Sequence, residues 1–348
     1  MRLYAIFKTT RLERTQVEHD EAHRHHRGSE DVEVARRKAQ LSAHPQRPLN
    51  LCAELNRHHL QLRIHLAVFL TAFALLCLSP FVSTAQTAET PAPARDAGQR
   101  RVNPGLPTLF VVGDSTANNN ADGAQGWGDP FISYFDASKI NVLNRARAGR
   151  SSRTFLNEGL WDKVLQEMKP GDFVLIQFGH NDGGPLDTGR ARGSLPGLGE
   201  ETREVSMPDG RKEVVHTFGW YMRRFIADAT RKGATPIVLS LTVRNIWKDG
   251  HVERGAGSFR EWVAAIARSE SVEFLDLTTI VADRYEASGE EKVKALFGPD
   301  HTHTSPAGAE LNAAAVVAGL KGLNGNPLRN YFSARAGAVA AYKTAKAK

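Results

Sequence analysis

A serine that directly follows a buried-looking apolar run, and a histidine able to take its proton, are the most chemically suggestive features of the chain. Ser115 stands in Gly113-Asp114-Ser115-Thr116, just after the apolar run 109–112. A serine hydroxyl attacks poorly unless an adjacent base removes its proton. Near neutral pH that base is usually histidine. Asp300-His301-Thr302-His303 supplies a histidine with an acid three residues before it. On one turn, that spacing lets the Asp300 carboxylate accept the His303 Nδ1–H, which fixes the tautomer and leaves Nε2 to face a serine. The remaining need is a set of donors aimed at a developing oxyanion. The side-chain amide of Asn181 and the backbone N–H groups of Ser115 and Gly149 are the candidates, since glycine lets the backbone approach a ligand closely. The same residues have other readings. Asp-Ser-Thr after a strand also makes a helix N-cap, and Asn181-Asp182 also closes a turn. Asp300, His301 and His303, with His180 or Asp182, contain a His-x-His pair that could hold a metal, but no further His or Cys lies at ligand spacing, so no metal is expected. Neither a Gly-x-Gly-x-x-Gly nor a phosphate-loop motif is present, which disfavours a nucleotide cofactor. The missing Gly-x-Ser-x-Gly elbow argues against an ordinary α/β-hydrolase.

The elements that must position these groups follow from apolar patterning. Short apolar runs at 109–112, 141–144, 172–178, 235–241 and 271–276 read as strands. Between and after them, 159–168, 216–232, 258–268 and 306–320 read as helices. In the first of these, Leu160, Trp161, Val164, Leu165 and Met168 recur with a 3.6-residue period. Strands alternating with helices imply a parallel sheet covered on both faces. Ligands bind such sheets at the carboxyl ends of the strands, where 113–116, 179–182 and Arg244-Asn245 fall. The long Gly- and Pro-rich connection 183–215 is either a substrate-covering loop or a solvated insertion.

Composition bounds the rest. With 41% apolar and 24% charged residues, the 348-residue chain is neither a disordered nor a collagen-like protein, nor a polytopic membrane protein. The run 66–78 is apolar except for Thr71. It is shorter than the roughly 20 residues a bilayer requires. Arg57 and Arg63 precede it and Ser83-Thr84-Ala85 follows, the pattern of a secretory signal peptide cleaved after Ala85. The chain therefore divides into a non-native or disordered extension (1–56), a signal peptide (57–85), a linker (86–104), one folded domain (105–325) and a C-terminal tail (326–348). Residues 1–85 carry 12 of the 45 basic and 8 of the 38 acidic residues. The remainder has a net charge of only +3, so nucleic-acid binding is not expected. Both cysteines, Cys52 and Cys77, leave with that segment, so no thiol can be the nucleophile. The expected product is secreted or periplasmic, without stable membrane association.

Taken in order, Gly113-Asp-Ser-Thr116, Gly149, Gly179-His-Asn-Asp182 and Asp300-x-x-His303 resemble the four blocks of the SGNH (GDSL-like) hydrolases. The stretches 144–155, 177–182, 242–247 and 300–309 are similar to one branch, the rhamnogalacturonan acetylesterases. That resemblance covers about 107–322. It implies a three-layer α/β/α sandwich around a five-stranded parallel sheet of flavodoxin-like type. It also implies Ser115 as nucleophile, His303 as base, Asp300 as acid and Ser115, Gly149 and Asn181 as oxyanion donors, with no cofactor. The expected activity is O-deacetylation of acetylated rhamnogalacturonan; xylan or another acetylated glycan, or mere polysaccharide binding on the same fold, are the alternatives. A polyanionic substrate suits the strand-end cations Arg147, Arg150, Arg153 and Arg244. Arg244 is the leading expected substrate contact, with Arg150 and His180 beside it. Two departures stand out: Ala148 occupies a position where many relatives have glycine, and the 183–215 connection is absent from the shorter fungal-type members.

Overall fold

A strand with no polar face must lie inside a sheet that is covered on both sides. The computed structural model describes residues 102–343 except 120, 122, 256, 257 and 299. The signal peptide and upstream extension expected from the sequence, and most of the linker, lie outside the described residues. Along the chain the strands are β1 (Thr108–Gly113), β2 (Asn141–Asn144), β3 (Phe173–Gln177), β4 (Thr202–Ser206), β5 (Lys212–His216), β6 (Thr235–Leu239), β7 (Trp247–Lys248), β8 (His251–Val252) and β9 (Glu273–Leu275). The helices are α1 (Gly128–Phe131), α2 (Ser152–Asn157), α3 (Leu160–Glu167), α4 (Phe218–Arg231), α5 (Phe259–Glu270), α6 (Leu277–Ser288), α7 (Glu290–Lys294), α8 (Pro306–Gly322) and α9 (Ala334–Gly337).

Five strands form one sheet in the order β2-β1-β3-β6-β9, and all four pairings are parallel. β1 and β3 are buried at every position. Successive side chains of β1 point to opposite faces. Phe110 and Val112 join Val174, Ile176 and Val238 against Trp161 of α3, Phe225 of α4 and Ile266 of α5. Leu109 and Val111 join Leu175 and Ile237 against Phe131 of α1, Ile280 of α6 and Val316 of α8. Two helical layers thus enclose the sheet, and its carboxyl ends open at one edge.

Among the stretches that differ from the sequence reading, three bear on the site or the core. Part of the 183–215 connection is ordered as the antiparallel hairpin β4–β5, closed by a turn in which the Met207 N–H donates to the Arg211 carbonyl at 2.8 Å. Each of its strands buries a single valine, Val205 and Val215, so no apolar run announces it. Helix α6 follows β9 directly and had no expected counterpart. The segment after 325 is not a tail as far as it is described. Helix α8 is buried around most of its circumference and needs cover on that side too. The C-terminal segment provides it. Leu328 and Ala336 are fully buried, the Lys321 Nζ donates to the Val339 carbonyl at 2.7 Å, and the Tyr342 N–H donates to the Ala318 carbonyl at 2.9 Å. Among the described residues, no helix is long and apolar enough to cross a membrane.

Candidate active site

The carboxyl end of β1 delivers Ser115. Gly113 permits the approach to β3, for a Cβ there would meet the Gln177 carbonyl oxygen at 2.7 Å. Buried Asp114 then folds the chain back on itself. Its Oδ1 accepts the N–H and the hydroxyl of Thr116, both at 2.8 Å, a short-range turn typical of aspartate. Ser115 is left at the top of the sheet.

His303 arrives from the other end of the chain, on the approach to α8. Helix α8 begins at Pro306, and Ser305 caps it by accepting the Gly308 N–H. Next to His303, Thr304 is fixed by its hydroxyl donating to the Gln125 carbonyl at 2.9 Å. The His303 Nε2 lies 2.8 Å from the Ser115 Oγ, and its Nδ1 lies 2.7 Å from the Asp300 Oδ2. The second oxygen of Asp300 accepts the backbone N–H groups of Thr302 and His303 at 2.7 and 2.8 Å. Partial burial pushes the Asp300 carboxyl up, but the hydrogen bonds from His303 and Thr302 outweigh it and hold the group down at about 2. It is a carboxylate at any working pH, able to orient the imidazole and to stabilise an imidazolium.

The three oxyanion candidates converge on the same cleft of about 620 Å³ as Ser115 and His303. Gly149 has φ +79°, a conformation that suits glycine. Neither its N–H nor that of Ser115 has an intramolecular acceptor among the described residues. The Asn181 amide gives one N–H to the Arg150 carbonyl at 2.8 Å, which orients the group and leaves its other N–H available. Beneath them, buried Asp182 accepts the Ser152 N–H at 3.2 Å, the Ser194 hydroxyl at 3.1 Å and the Ser152 hydroxyl. Burial pushes the Asp182 carboxyl up to about 6, in spite of these donors.

The expected substrate contacts separate. Arg150 lines the cleft, with its charge met by Glu158 at 2.8 Å. Arg147 is exposed and lies outside the lining. Arg153 is a correction. Helix α2 turns it inward, fully buried, where it donates to Glu213 at 2.6 Å and to the carbonyls of Leu186 and Gly193 at 2.8 and 2.7 Å. It pins the following loop and cannot meet a substrate. Arg244 and His180 do not line the Ser115 cleft itself; they line an adjoining hollow of about 430 Å³ with Thr242, Glu253 and Phe259, beside the 300–303 loop, where the Asn245 N–H donates to the His301 carbonyl at 2.7 Å. The cleft instead receives Arg190 and Arg192 from the 183–215 insertion, and Asn119. Nothing in the spacing of those residues marks them. Their position after a strand's carboxyl end, β3 for the two arginines and β1 for Asn119, is the one clue. His301 and His303 acquire no further ligands, and among the described residues no three His, Cys, Asp or Glu side chains converge as a metal site would need.

A parallel α/β/α sandwich with a strand-end serine hydrogen-bonded to a histidine, beside unpaired backbone N–H groups, is an arrangement suited to acyl transfer. The GDSL-like Lipase/Acylhydrolase family matches residues 111–311; the chain belongs to that family and is a carboxylic ester hydrolase. Its curated relatives include the rhamnogalacturonan acetylesterase of Emericella nidulans, 34% identical over 60% of this chain and 83% of that protein. They also include the rhamnogalacturonan acetylesterase RhgT of Bacillus subtilis, 30% identical over 66% of this chain and 95% of that protein. Among solved structures, the YxiM protein of Bacillus subtilis superimposes with a TM-score of 0.51 at 26% identity, over 62% of this chain and 56% of that one.

Proposed function

We propose that the protein is a secreted serine esterase that removes O-acetyl groups from a pectic polysaccharide, acetylated rhamnogalacturonan. The observation that carries this reading is the unbroken line of hydrogen bonds from Asp300 through His303 to Ser115, at the floor of a cleft wide enough for a sugar. Two relatives named as rhamnogalacturonan acetylesterases support the substrate. The apolar run 66–78 with its basic flank and small-residue site supports export.

The chemistry follows from the geometry. The Ser115 Oγ attacks the acetyl carbonyl carbon while the His303 Nε2 takes the hydroxyl proton. The carbonyl oxygen becomes an oxyanion and rests on the Ser115 and Gly149 N–H groups and on the free Asn181 N–H. Asp300 stabilises the imidazolium. The carbon–oxygen bond to the sugar then breaks, and the sugar oxygen leaves with the proton from His303. Ser115 is left acetylated. Water attacks this acyl-enzyme, giving its proton to His303, and collapse releases acetate and restores the serine.

The test is acetate release from acetylated rhamnogalacturonan by the wild type and by Ser115→Ala. The expected result is release by the wild type and a loss of about 10⁴-fold or more in the variant. A variant that keeps its activity would refute the serine mechanism. Release from acetylated xylan and not from the pectin would refute the substrate.

A further inference from the structure

The insertion after β3 brings two guanidinium groups into the Ser115 cleft that ester hydrolysis does not require. Arg190 and Arg192 line the cleft together with Ser115 and His303. Among the described residues, neither has a carboxylate within ion-pair distance. The acids of the same cleft are already engaged, Glu158 by Arg150 at 2.8 Å and Asp300 by His303 at 2.7 Å. Arg192 is held below the ordinary guanidinium range by burial and by the charge of Arg190, against the pull of Asp114 and Asp182 behind the site. Two cations thus line one cleft with no carboxylate paired to either, an arrangement that an anion bound in the cleft would favour.

The backbone is built to hold the pair. Ala191, between the two arginines, is buried at φ +43°, a region that residues with a Cβ seldom adopt. Such strain persists only where the surroundings over-determine it, and here they do. The Ala191 N–H donates to the Thr188 carbonyl at 2.8 Å. Buried Arg153 grips the loop on both sides, at the Leu186 and Gly193 carbonyls. Gly193 packs so closely that a Cβ there would meet the Gly184 carbonyl oxygen at 1.9 Å. The Ser194 N–H donates to the Asp182 carbonyl at 2.9 Å. Arg192 itself donates from Nη1 to the Gly149 carbonyl at 3.1 Å, so it also positions the strand-end loop that offers an oxyanion donor. The loop backbone and Arg192 are thus fixed in advance, and only the Arg190 side chain has to be ordered when an anion binds.

An acetyl ester is neutral, and its oxyanion already has three donors. The anion addressed by the pair therefore belongs to another part of the substrate. We propose that Arg190 and Arg192 form a carboxylate subsite, which binds a uronate residue of the polymer next to the acetylated sugar and gives the enzyme its preference for acidic polysaccharides. This rests on the polysaccharide deacetylase reading given above.

The test compares the full chain with Arg190→Gln and Arg190→Glu. Arg190 is exposed and makes no hydrogen bond among the described residues, so its replacement leaves the fold intact. Three substrates are used: acetylated rhamnogalacturonan oligosaccharides, the same oligosaccharides with their carboxyl groups methyl-esterified, and 4-nitrophenyl acetate. The wild type is expected to favour the free acid over its methyl ester by about tenfold in kcat/KM, the scale of a charge-assisted hydrogen bond, and to lose that preference as salt is raised. Arg190→Gln should lose most of the preference through a higher KM, and Arg190→Glu should reverse it. A wild-type preference that survives in Arg190→Glu overturns the subsite alone. Wild-type activity on 4-nitrophenyl acetate and on neither oligosaccharide overturns the polysaccharide reading, and the subsite with it.

Discussion

Asp300→Asn separates what Asp300 does for the histidine ring from what it does for the backbone. Oδ1 accepts two N–H groups, from Thr302 and His303, and the carbonyl oxygen of an asparagine can keep both. The amide nitrogen then takes the place of Oδ2, 2.7 Å from the His303 Nδ1. An NH₂ group only donates, so Nδ1 must accept and the ring proton moves to Nε2. That atom lies 2.8 Å from the Ser115 Oγ and now donates to the hydroxyl it should deprotonate. With a buried aspartate this exchange costs about 10⁴ in rate in serine proteases. Here the Asp300 side chain is 44% exposed, and water can take part of the aspartate's place. The expected loss in kcat/KM is therefore about 10³-fold, about 4 kcal/mol of transition-state stabilisation. The unfolding free energy should fall by no more than about 2 kcal/mol, because both backbone bonds remain, though to a neutral acceptor at a partly exposed site. Initial rates on 4-nitrophenyl acetate and urea unfolding of both proteins measure the two quantities. A variant retaining more than about a tenth of the wild-type rate would refute the orienting role. A loss of rate matched by several kcal/mol of destabilisation would refute the separation of ring from backbone.

Asn181→Ala should lower kcat by about 10²-fold with little change in KM, the effect of losing one oxyanion donor; an equal rise in KM would mean that Asn181 holds the ground state instead. The buried Asp182 sets a pH dependence of stability. Its carboxyl titrates at about 6 when folded and at 3.8 by its ordinary value, so the folded state binds the proton more tightly. Its contribution is fully present below pH 3.8 and is lost as pH rises through 6, by about 2–3 kcal/mol. Urea unfolding between pH 4 and 7 should show this fall in the wild type and not in Asp182→Asn; a parallel fall in the variant would assign it to other groups.

The central sheet was legible because β1 and β3 are buried on both faces, and such strands leave continuous apolar runs. Helices α3, α4 and α5 were legible for a related reason: each turns one apolar face to the sheet, so its apolar residues recur with the helical period. The hairpin β4–β5 was not, since its inward residues are only Val205 and Val215 among charged neighbours. Helix α6 has apolar residues on several sides and no single stripe to betray it. Ser115, Asp300 and His303, which hydrogen bonds join in the structure, could be singled out from residue type and short spacing. The arginines could not. A buried Arg153 and a cleft-lining Arg190 look the same in sequence, and only the path of the intervening loop separates the staple from the binding group.

The hydrogen bond between Ser115 and His303 spans 188 residues of sequence, and the cover of α8 comes from residues later still. The chain as far as β6 contains Ser115, Gly149 and Asn181 but neither His303 nor Asp300. Under the proposed mechanism, a fragment ending at β6 would hold the nucleophile and the oxyanion donors without a base. Esterase activity would then report that the 300–303 loop has docked against the carboxyl end of β1.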